Sequence, residues 1–323
     1  MKISLEQLTA EADATQLRAD MLEKAVQLLA VLKAVCTHPH LEGRLVLKGG
    51  TALNLFVLNV PRLSVDIDLN YVGAVGRKAM LEERPRIEAA IQAVLRREGF
   101  TVRRMPKEHA GGKWSFRYAS AFGSSGRLEL DLNFMHRVSL WPVVRMDSQP
   151  LGSWRATEIP VVDLHELAAG KLAALLSRCK ARDLFDTRLI LSMGDLDPKR
   201  LRIAFVVYGA MNRKDWRTIS PDDVEVDMAD LAHNLMPLLH IGAVPESGKA
   251  AVLGEALVSD CRRGLFAVLP FTDAELAFLD LLLDAGEIDA SLLTTDTFLQ
   301  GRIEAQPLLE WKALNVRRHK RLS

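Results

Sequence analysis

The sequence predicts an α/β (α+β) fold, in which a mixed sheet with flanking helices is followed by a mainly helical C-terminal domain. Three observations carry this expectation. A short apolar run at 44–47 breaks at Gly49-Gly50 and passes into a helix through Leu53, Leu55 and Phe56, giving strand, glycine turn and helix in succession. Further alternating runs between residues 101 and 134 are separated by glycine-rich turns. Beyond Pro160 strand signals nearly vanish and helical periodicity takes over.

Taken in order, Leu17, Met21, Ala25, Leu28, Leu29 and Leu32 recur at spacings of three and four, which predicts one or two amphipathic helices over 5–36. After the glycine turn, Thr51 is placed to cap a helix. Residues 63–69 alternate as a strand with Val65, Ile67 and Leu69 towards the core, and residues 77–98 return to helical spacing until Gly99 stops them. Strands at 101–105, 114–119 and 128–134, with turns at Gly111-Gly112 and 123–126, make an antiparallel meander. Helices follow at 162–178, 183–193 and 198–208, then a mainly helical stretch over 224–314 and the basic run Arg317, Arg318, His319, Lys320, Arg321. The domain boundary is placed near residue 155, dividing 1–155 from 156–323.

With 323 residues, 49% of them hydrophobic, the chain can fill two cores. Its 42 basic and 41 acidic side chains nearly cancel, which excludes a global field towards nucleic acid or membrane and leaves any polyanion site to a local patch. Cys36, Cys179 and Cys261 are odd in number, widely spaced and without a Cys-x-x-Cys pair, so neither a disulfide framework nor a structural zinc site is expected. No run approaches the roughly 18 apolar residues of a membrane span, and the N-terminal segment lacks an apolar stretch. The expectation is a soluble, unprocessed protein of the reducing cytoplasm, with no membrane partner.

Residues two apart on a strand project from one face, so Asp66 and Asp68 present paired carboxylates. Such a pair repels itself unless a counter-charge is supplied, most simply by a divalent cation such as Mg²⁺, which takes carboxylate oxygens and substrate phosphates. A solvated polar face is the alternative. Lys48-Gly49-Gly50-Thr51 joins a strand to a helix, where backbone N–H groups and the helix dipole can hold phosphate; a tight structural turn would look similar. If 128–134 is a strand, Glu129, Asp131 and Asn133 share a face, with Asp131 the best third carboxylate and Glu129 in the same orientation. Two metal ions on three carboxylates would bind a triphosphate and activate an attacking hydroxyl, with Asp131 as general base. A last cluster comprises Lys171, Arg178, Arg182, Asp183 and Asp186 in a helix pair, with Lys171 and Arg178 seven apart on one face and so able to reach phosphates. An ordinary salt-bridged helix surface is the alternative there.

As an ordered set, Lys-Gly-Gly-Thr-Ala-Leu at 48–53, Arg-Leu-Ser-Val-Asp-Ile-Asp-Leu at 62–69, Lys171, Arg178 and Arg-Asp-Leu-Phe-Asp at 182–186 resemble the AbiEii family of nucleotidyltransferase toxins, over roughly residues 40–195. The resemblance implies a DNA-polymerase-β-like nucleotidyltransferase domain, the toxin half of a bacterial type IV toxin–antitoxin pair, with Mg²⁺ or Mn²⁺ as cofactor. By resemblance Asp66 and Asp68 hold metal and Lys171 and Asp186 complete the catalytic set, to which the strand reading above adds Asp131 as third carboxylate. Nucleotide binding falls to Lys48, Gly49, Gly50, Thr51, Arg62, Ser64, Lys171, Arg178, Arg182 and Asp183. The implied partners are a nucleoside triphosphate, an RNA acceptor and a cognate antitoxin encoded nearby. Some members of the family modify the 3′ end of tRNA and block aminoacylation, so tRNA is the expected acceptor, bound by the helical domain, which would also complete the site. Arg96, Arg97, Arg103, Arg104, Lys107, Lys113 and the basic tail would form a phosphate-binding rim, each residue reading equally well as solvated charge. The alternatives are a small-molecule nucleotidyltransferase, such as an antibiotic-modifying enzyme with an acid-lined acceptor pocket, and a non-catalytic nucleotide-binding protein, against which Asp66, Asp68 and Asp131 speak.

Overall fold

Two helices precede the sheet. α1 (Leu5–Thr15) starts at Ser4, whose hydroxyl oxygen accepts the Gln7 N–H, and α2 (Ala19–Cys36) buries Leu22, Ala25, Leu28, Leu29 and Leu32 along one side. The computed structural model to which they belong describes residues 3–106, 110–244 and 250–319. Among these, seven strands form one mixed sheet: β1 (Leu45–Lys48), β2 (Asp66–Tyr71), β3 (Thr101–Arg104), β4 (Gly111–Ala119), β5 (Ser125–Asn133), β6 (Val144–Met146) and β7 (Ile159–Val161), in the order β3-β4-β5-β2-β1-β7-β6. β2 runs parallel to β5 and β1 parallel to β7, while the other neighbours are antiparallel. Ile67, Leu69, Trp114, Phe116, Leu128, Leu130 and Leu132 are buried, alternating with Asp66, Asp68, Lys113, Arg117, Glu129 and Asp131, which are half-buried or exposed. Between β1 and β2 lies α3 (Gly49–Ala52), continued by one π-helical turn at Leu53–Val57, and α4 (Arg77–Arg97) precedes β3 and packs on it and on α2.

The meander of β3, β4 and β5 is present where alternation placed it, and Gly99, with φ +86°, follows α4. Three local expectations change. β6 and β7, at three residues each, escape a pattern that needs several alternations to register. Gly111 and Gly112 open β4 instead of forming a turn, because a Cβ on Gly111 would lie 1.9 Å from the Leu132 carbonyl oxygen. Lys48 is the N-cap of α3, and Thr51 lies inside that helix with its hydroxyl directed to the following strand.

The chain forms two compact units. The first, Met1–Arg137, Val143–Val162 and Met236–Val244, holds the whole sheet. Its last segment is secured by the Leu63 N–H donating to the Leu238 carbonyl at 2.7 Å and by the His240 ring, 3.0 and 2.8 Å from the Thr15 and Val60 carbonyl oxygens.

The second unit, Val138–Pro142, Asp163–Leu235 and Pro245–Ser323, is helical. α5 (Leu164–Arg178) packs on α6 (Ala181–Leu191) and α7 (Pro198–Ala210); then come α8 (Met228–Asp230), α9 (Ala250–Gly264), α10 (Asp273–Asp280), α11 (Thr297–Glu304) and α12 (Pro307–His319). Asp163, Asp197 and Asp296 cap α5, α7 and α11, and Thr272 with Glu275 forms a capping box on α10. On α5, Glu166 is buried and accepts the Trp141 N–H at 3.2 Å and the Tyr208 O–H at 2.9 Å. Burial outweighs these bonds and pushes its carboxyl up to about 7. A raised folded-state value means that the associated stability is full below the ordinary carboxylate range and is lost as pH rises through about 7. Between pH 5 and pH 8 the wild type should therefore lose up to about 3 kcal/mol relative to Glu166→Gln in urea denaturation. Identical pH dependence of the two proteins would exclude Glu166 as the titrating group.

Candidate active site

Directly opposed residues on neighbouring strands share a face, so strand register organises the polar side of the sheet in rows. One row reads Lys113, Asp131, Asp68, Lys48 across β4, β5, β2 and β1; the next reads Arg104, Ser115, Glu129, Asp66 across β3, β4, β5 and β2. Parallel pairing of β2 with β5 thus sets Asp68 opposite Asp131 and Asp66 opposite Glu129. Like charges placed directly opposite are destabilising, and the lysines at both ends of the first row offset part of that cost. The acids on β5 are not equivalent. Glu129 pairs with Arg127 at 2.7 Å and with Lys113 at 3.3 Å. Asn133 accepts the backbone N–H groups of Met135 and His136 at 2.7 and 3.0 Å. The Asp131 side chain is half-buried and makes no hydrogen bond or ion pair among the described residues.

The glycine loop abuts this acid pair. Gly49 has φ +72°, and a Cβ there would lie 2.3 Å from Asp68 Oδ2. Only glycine allows both the left-handed backbone and that approach. Asn54 donates Nδ2–H to the Gly50 carbonyl at 3.0 Å, bracing the loop from the next turn. Thr51, fully buried, has its Oγ1 2.8 Å from Ser64 Oγ and in hydrogen-bond contact with the Asp66 carbonyl. A hydroxyl has one proton and the carbonyl can only accept, so Thr51 donates to Asp66 and accepts from Ser64, tying the helix to the first residue of β2. Arg62 is 1% exposed and donates Nη1–H to the Leu63 carbonyl at 2.9 Å. Burial, with the Lys48 charge second, holds the His136 imidazole down at about 3.

Gly49→Ala separates two costs. Gly43 also has φ +72° but nothing within 4 Å of an added Cβ. Gly43→Ala should therefore show backbone strain alone, about 1–2 kcal/mol in thermal or urea unfolding. Gly49→Ala should show that strain and, by displacing the Asp68 carboxylate, a loss of transferase activity of about a hundredfold or more. Equal activity of the two variants would mean that the Gly49–Asp68 approach is irrelevant to the site.

The donors on this face are carboxylate oxygens, which match a hard divalent cation. Among the described residues no three His, Cys, Asp or Glu side chains already converge on a metal point, so a cation would draw Asp66, Asp68 and Asp131 together by side-chain rotation. A hollow of about 260 Å³ opens beside them, lined by Lys24, Val65, Asp66, Arg127 and Glu129.

The second unit holds the other cluster. Lys171 Nζ is 3.1 Å from Asp183 Oδ1 and 2.8 Å from Asp186 Oδ2, and Arg178 Nε is 2.7 Å from Asp183 Oδ2. The Lys171, Asp183 and Asp186 side chains are 10%, 2% and 0% exposed, whereas Arg178 is 61% exposed. Burial alone would raise the Asp183 carboxyl, but the Lys171 and Arg178 charges bring it below the usual range. Arg182 is half-buried on the same helix. Of the expected rim, Arg96, Arg103, Arg104 and Lys113 are exposed, Arg97 pairs with Glu98 at 3.4 Å, and Arg317 donates to the Gly286 carbonyl. Lys107, Lys320 and Arg321 lie outside the described residues. Sequence reasoning passed over Asn54, Arg117 and Arg127. Only Asn54 had a local signal, a polar residue four positions after Gly50 inside an apolar helix.

A mixed sheet with acids paired across parallel strands and a glycine loop packed against one of them fits a nucleotidyltransferase. Residues 30–314 match the family described as nucleotidyl transferase AbiEii toxin, type IV toxin–antitoxin system, and the chain is a member of that family. The match extends the motif-bearing region through the helical unit. Among solved structures the fold is similar to that of MenT4, a nucleotidyltransferase toxin from Mycobacterium tuberculosis H37Rv, with a TM-score of 0.65 and 18% identity over 96% of this chain and 99% of that one. No curated protein sequence matches. Among the described residues no helix is long and apolar enough to cross a membrane.

Proposed function

We propose that this chain transfers a nucleoside monophosphate from a nucleoside triphosphate to the 3′ hydroxyl of an RNA, tRNA above all, thereby blocking translation in the cytoplasm until a cognate antitoxin restrains it. The observation that supports this reading best is the register of β2 on β5, which pairs Asp68, packed against Gly49, with Asp131 and leaves Asp66 on the same face. Asp66, Asp68 and Asp131 would hold Mg²⁺ or Mn²⁺, and the bound ion would supply charge stabilisation for the triphosphate and its displacement. The backbone N–H groups at Gly49 and Gly50, at the start of a helix, would cradle phosphate oxygens, with Lys48 contributing charge on the same face. Asp131, lacking a protein partner among the described residues, is the acid available to take the proton of the attacking hydroxyl. Glu129 is committed to two cations and is the weaker choice. Lys171, Arg178, Arg182 and Asp183 would serve the nucleotide and Asp186 would complete the catalytic set; in this reading Lys171 exchanges an aspartate partner for a phosphate oxygen.

The test is to incubate the purified protein with each labelled nucleoside triphosphate, Mg²⁺ and total tRNA, and to sequence the 3′ ends. Label on the tRNA 3′ end that disappears with a chelator is expected. Label confined to small molecules, or none with any triphosphate, would overturn the reading.

A further inference from the structure

The same register that assembles the carboxylates also places a set of cations outside them. Arg117 and Arg127 are cross-strand partners on β4 and β5, one row beyond Ser115 and Glu129, and so share the face of Lys113, Asp131 and Asp68. Arg104 joins that face from β3, opposite Ser115. Lys113, Arg117, Arg127 and Arg104 are all exposed. The intervening acid, Glu129, is already paired with Lys113 and Arg127, and such exposed pairs exchange readily for other anions. At the outer edge of β3 the strip runs into a hollow of about 520 Å³ lined by Arg96, Arg103 and Arg104 together with Gln92, Thr101 and Phe100, with no acid among its described lining residues. A path of positive charge therefore leads from the sheet edge over β4 to the paired aspartates. Strands lie about 4.8 Å apart, so the three-strand strip is about 10 Å across, enough for one polynucleotide strand. It ends where the acceptor hydroxyl has to arrive.

We propose that the polar face of β3, β4 and β5 seats the phosphodiester backbone of a single-stranded RNA end and delivers its terminal hydroxyl to Asp66, Asp68 and Asp131. The proposal rests on the RNA acceptor proposed above and adds where that RNA lies. Binding should be dominated by phosphate contacts, tolerant of sequence and steeply dependent on salt.

The experiment measures three affinities for the wild type and for the double variant Arg117→Gln/Arg127→Gln: for a labelled single-stranded RNA oligonucleotide with a free 3′ hydroxyl, titrated over a range of salt; for a nucleoside triphosphate with Mg²⁺; and for poly-glutamate. Equal melting curves establish that both proteins are folded, and Arg103→Gln/Arg117→Gln serves as a second variant if they differ. The expected result is RNA affinity about tenfold lower at low salt, with a log–log salt slope smaller by about 1.4 for two lost phosphate contacts, and unchanged nucleotide affinity. RNA affinity and slope equal to the wild type would overturn the proposal while leaving the RNA reading intact. Parallel loss of RNA and nucleotide affinity would assign the strip to the triphosphate, and loss of poly-glutamate binding alone would assign it to an acidic protein; either overturns it. A wild type that binds no RNA even at low salt would overturn both this proposal and the RNA reading on which it rests.

Discussion

Asp68→Asn should lower nucleotidyl transfer by about a thousandfold or more, since under the proposed function the ion that would stabilise several kcal/mol of charge in the displacement would lose a ligand. The variant should melt at or slightly above the wild-type temperature, because the substitution removes one of two like charges set directly opposite each other. Asp131→Asn should behave in the same way. Glu129→Gln should retain activity within a few-fold, since that carboxylate is occupied by Arg127 and Lys113. Inside cells, wild-type expression should arrest growth and Asp68→Asn should relieve the arrest at matched protein levels. A catalytic toxin needs few molecules, whereas an overexpression burden follows the amount of protein and ignores the substitution. Equal arrest by both proteins, with unmodified tRNA ends, would show that toxicity does not come from transfer.

The largest effect on stability is expected at Asp186. Its side chain is fully buried and holds Lys171 at 2.8 Å. Asp186→Ala leaves a buried ammonium with one partner fewer, a change that costs about 3–5 kcal/mol in comparable sites. Urea denaturation should report it, and a change below about 1 kcal/mol would mean that the cluster is better hydrated than its burial implies. Lys171→Met/Asp186→Leu should recover most of that stability, since the pair is then replaced by apolar volume while Asp183 keeps Arg178. Transfer should not recover with it. If it did, the pair would be structural only and the nucleotide role of Lys171 would fall. The pH response has the opposite sign to that of Glu166. The Asp183 carboxyl lies below its ordinary value in the folded chain, so its ion pairs contribute fully above the unfolded carboxylate range and are lost as pH falls through the folded value. Acid unfolding of Asp183→Asn should accordingly lack that component.

How far a feature could be read in advance depended on how local its cause is. Alternation over several residues identified β2, β4 and β5, and it placed Asp66 and Asp68 on one face, because a strand alternates whatever it pairs with. Helical spacing, with Gly99 as the stop of α4, similarly identified α4 to α7 within a few residues of their observed limits. β6 and β7 had no such support: β7 joins the sheet through Leu47 opposite Val161, a contact that more than a hundred residues separate. At Gly111 and Gly112 the local preference for a turn lost to the backbone of β5, which leaves no room for a side chain.

The candidate site divides along the same line. Sequence by itself determined the kinds of group available: a carboxylate pair on one strand, glycines before a helix, and lysine, arginine and aspartates at helical spacing. Tertiary structure alone decided which of them meet. Glu129 and Asp131 are indistinguishable along β5, and only the parallel register with β2, together with Arg127 and Lys113, gives them different partners. Thr51 had the composition of a cap, but the Asp66 carbonyl claimed its proton across fifteen residues of chain. Lys171 had the spacing of a phosphate ligand and is found between two buried aspartates. The physical reason is that periodicity is set by backbone geometry within a segment, whereas register and ion pairing are set by which apolar faces are buried together, and that choice involves residues far apart in the chain.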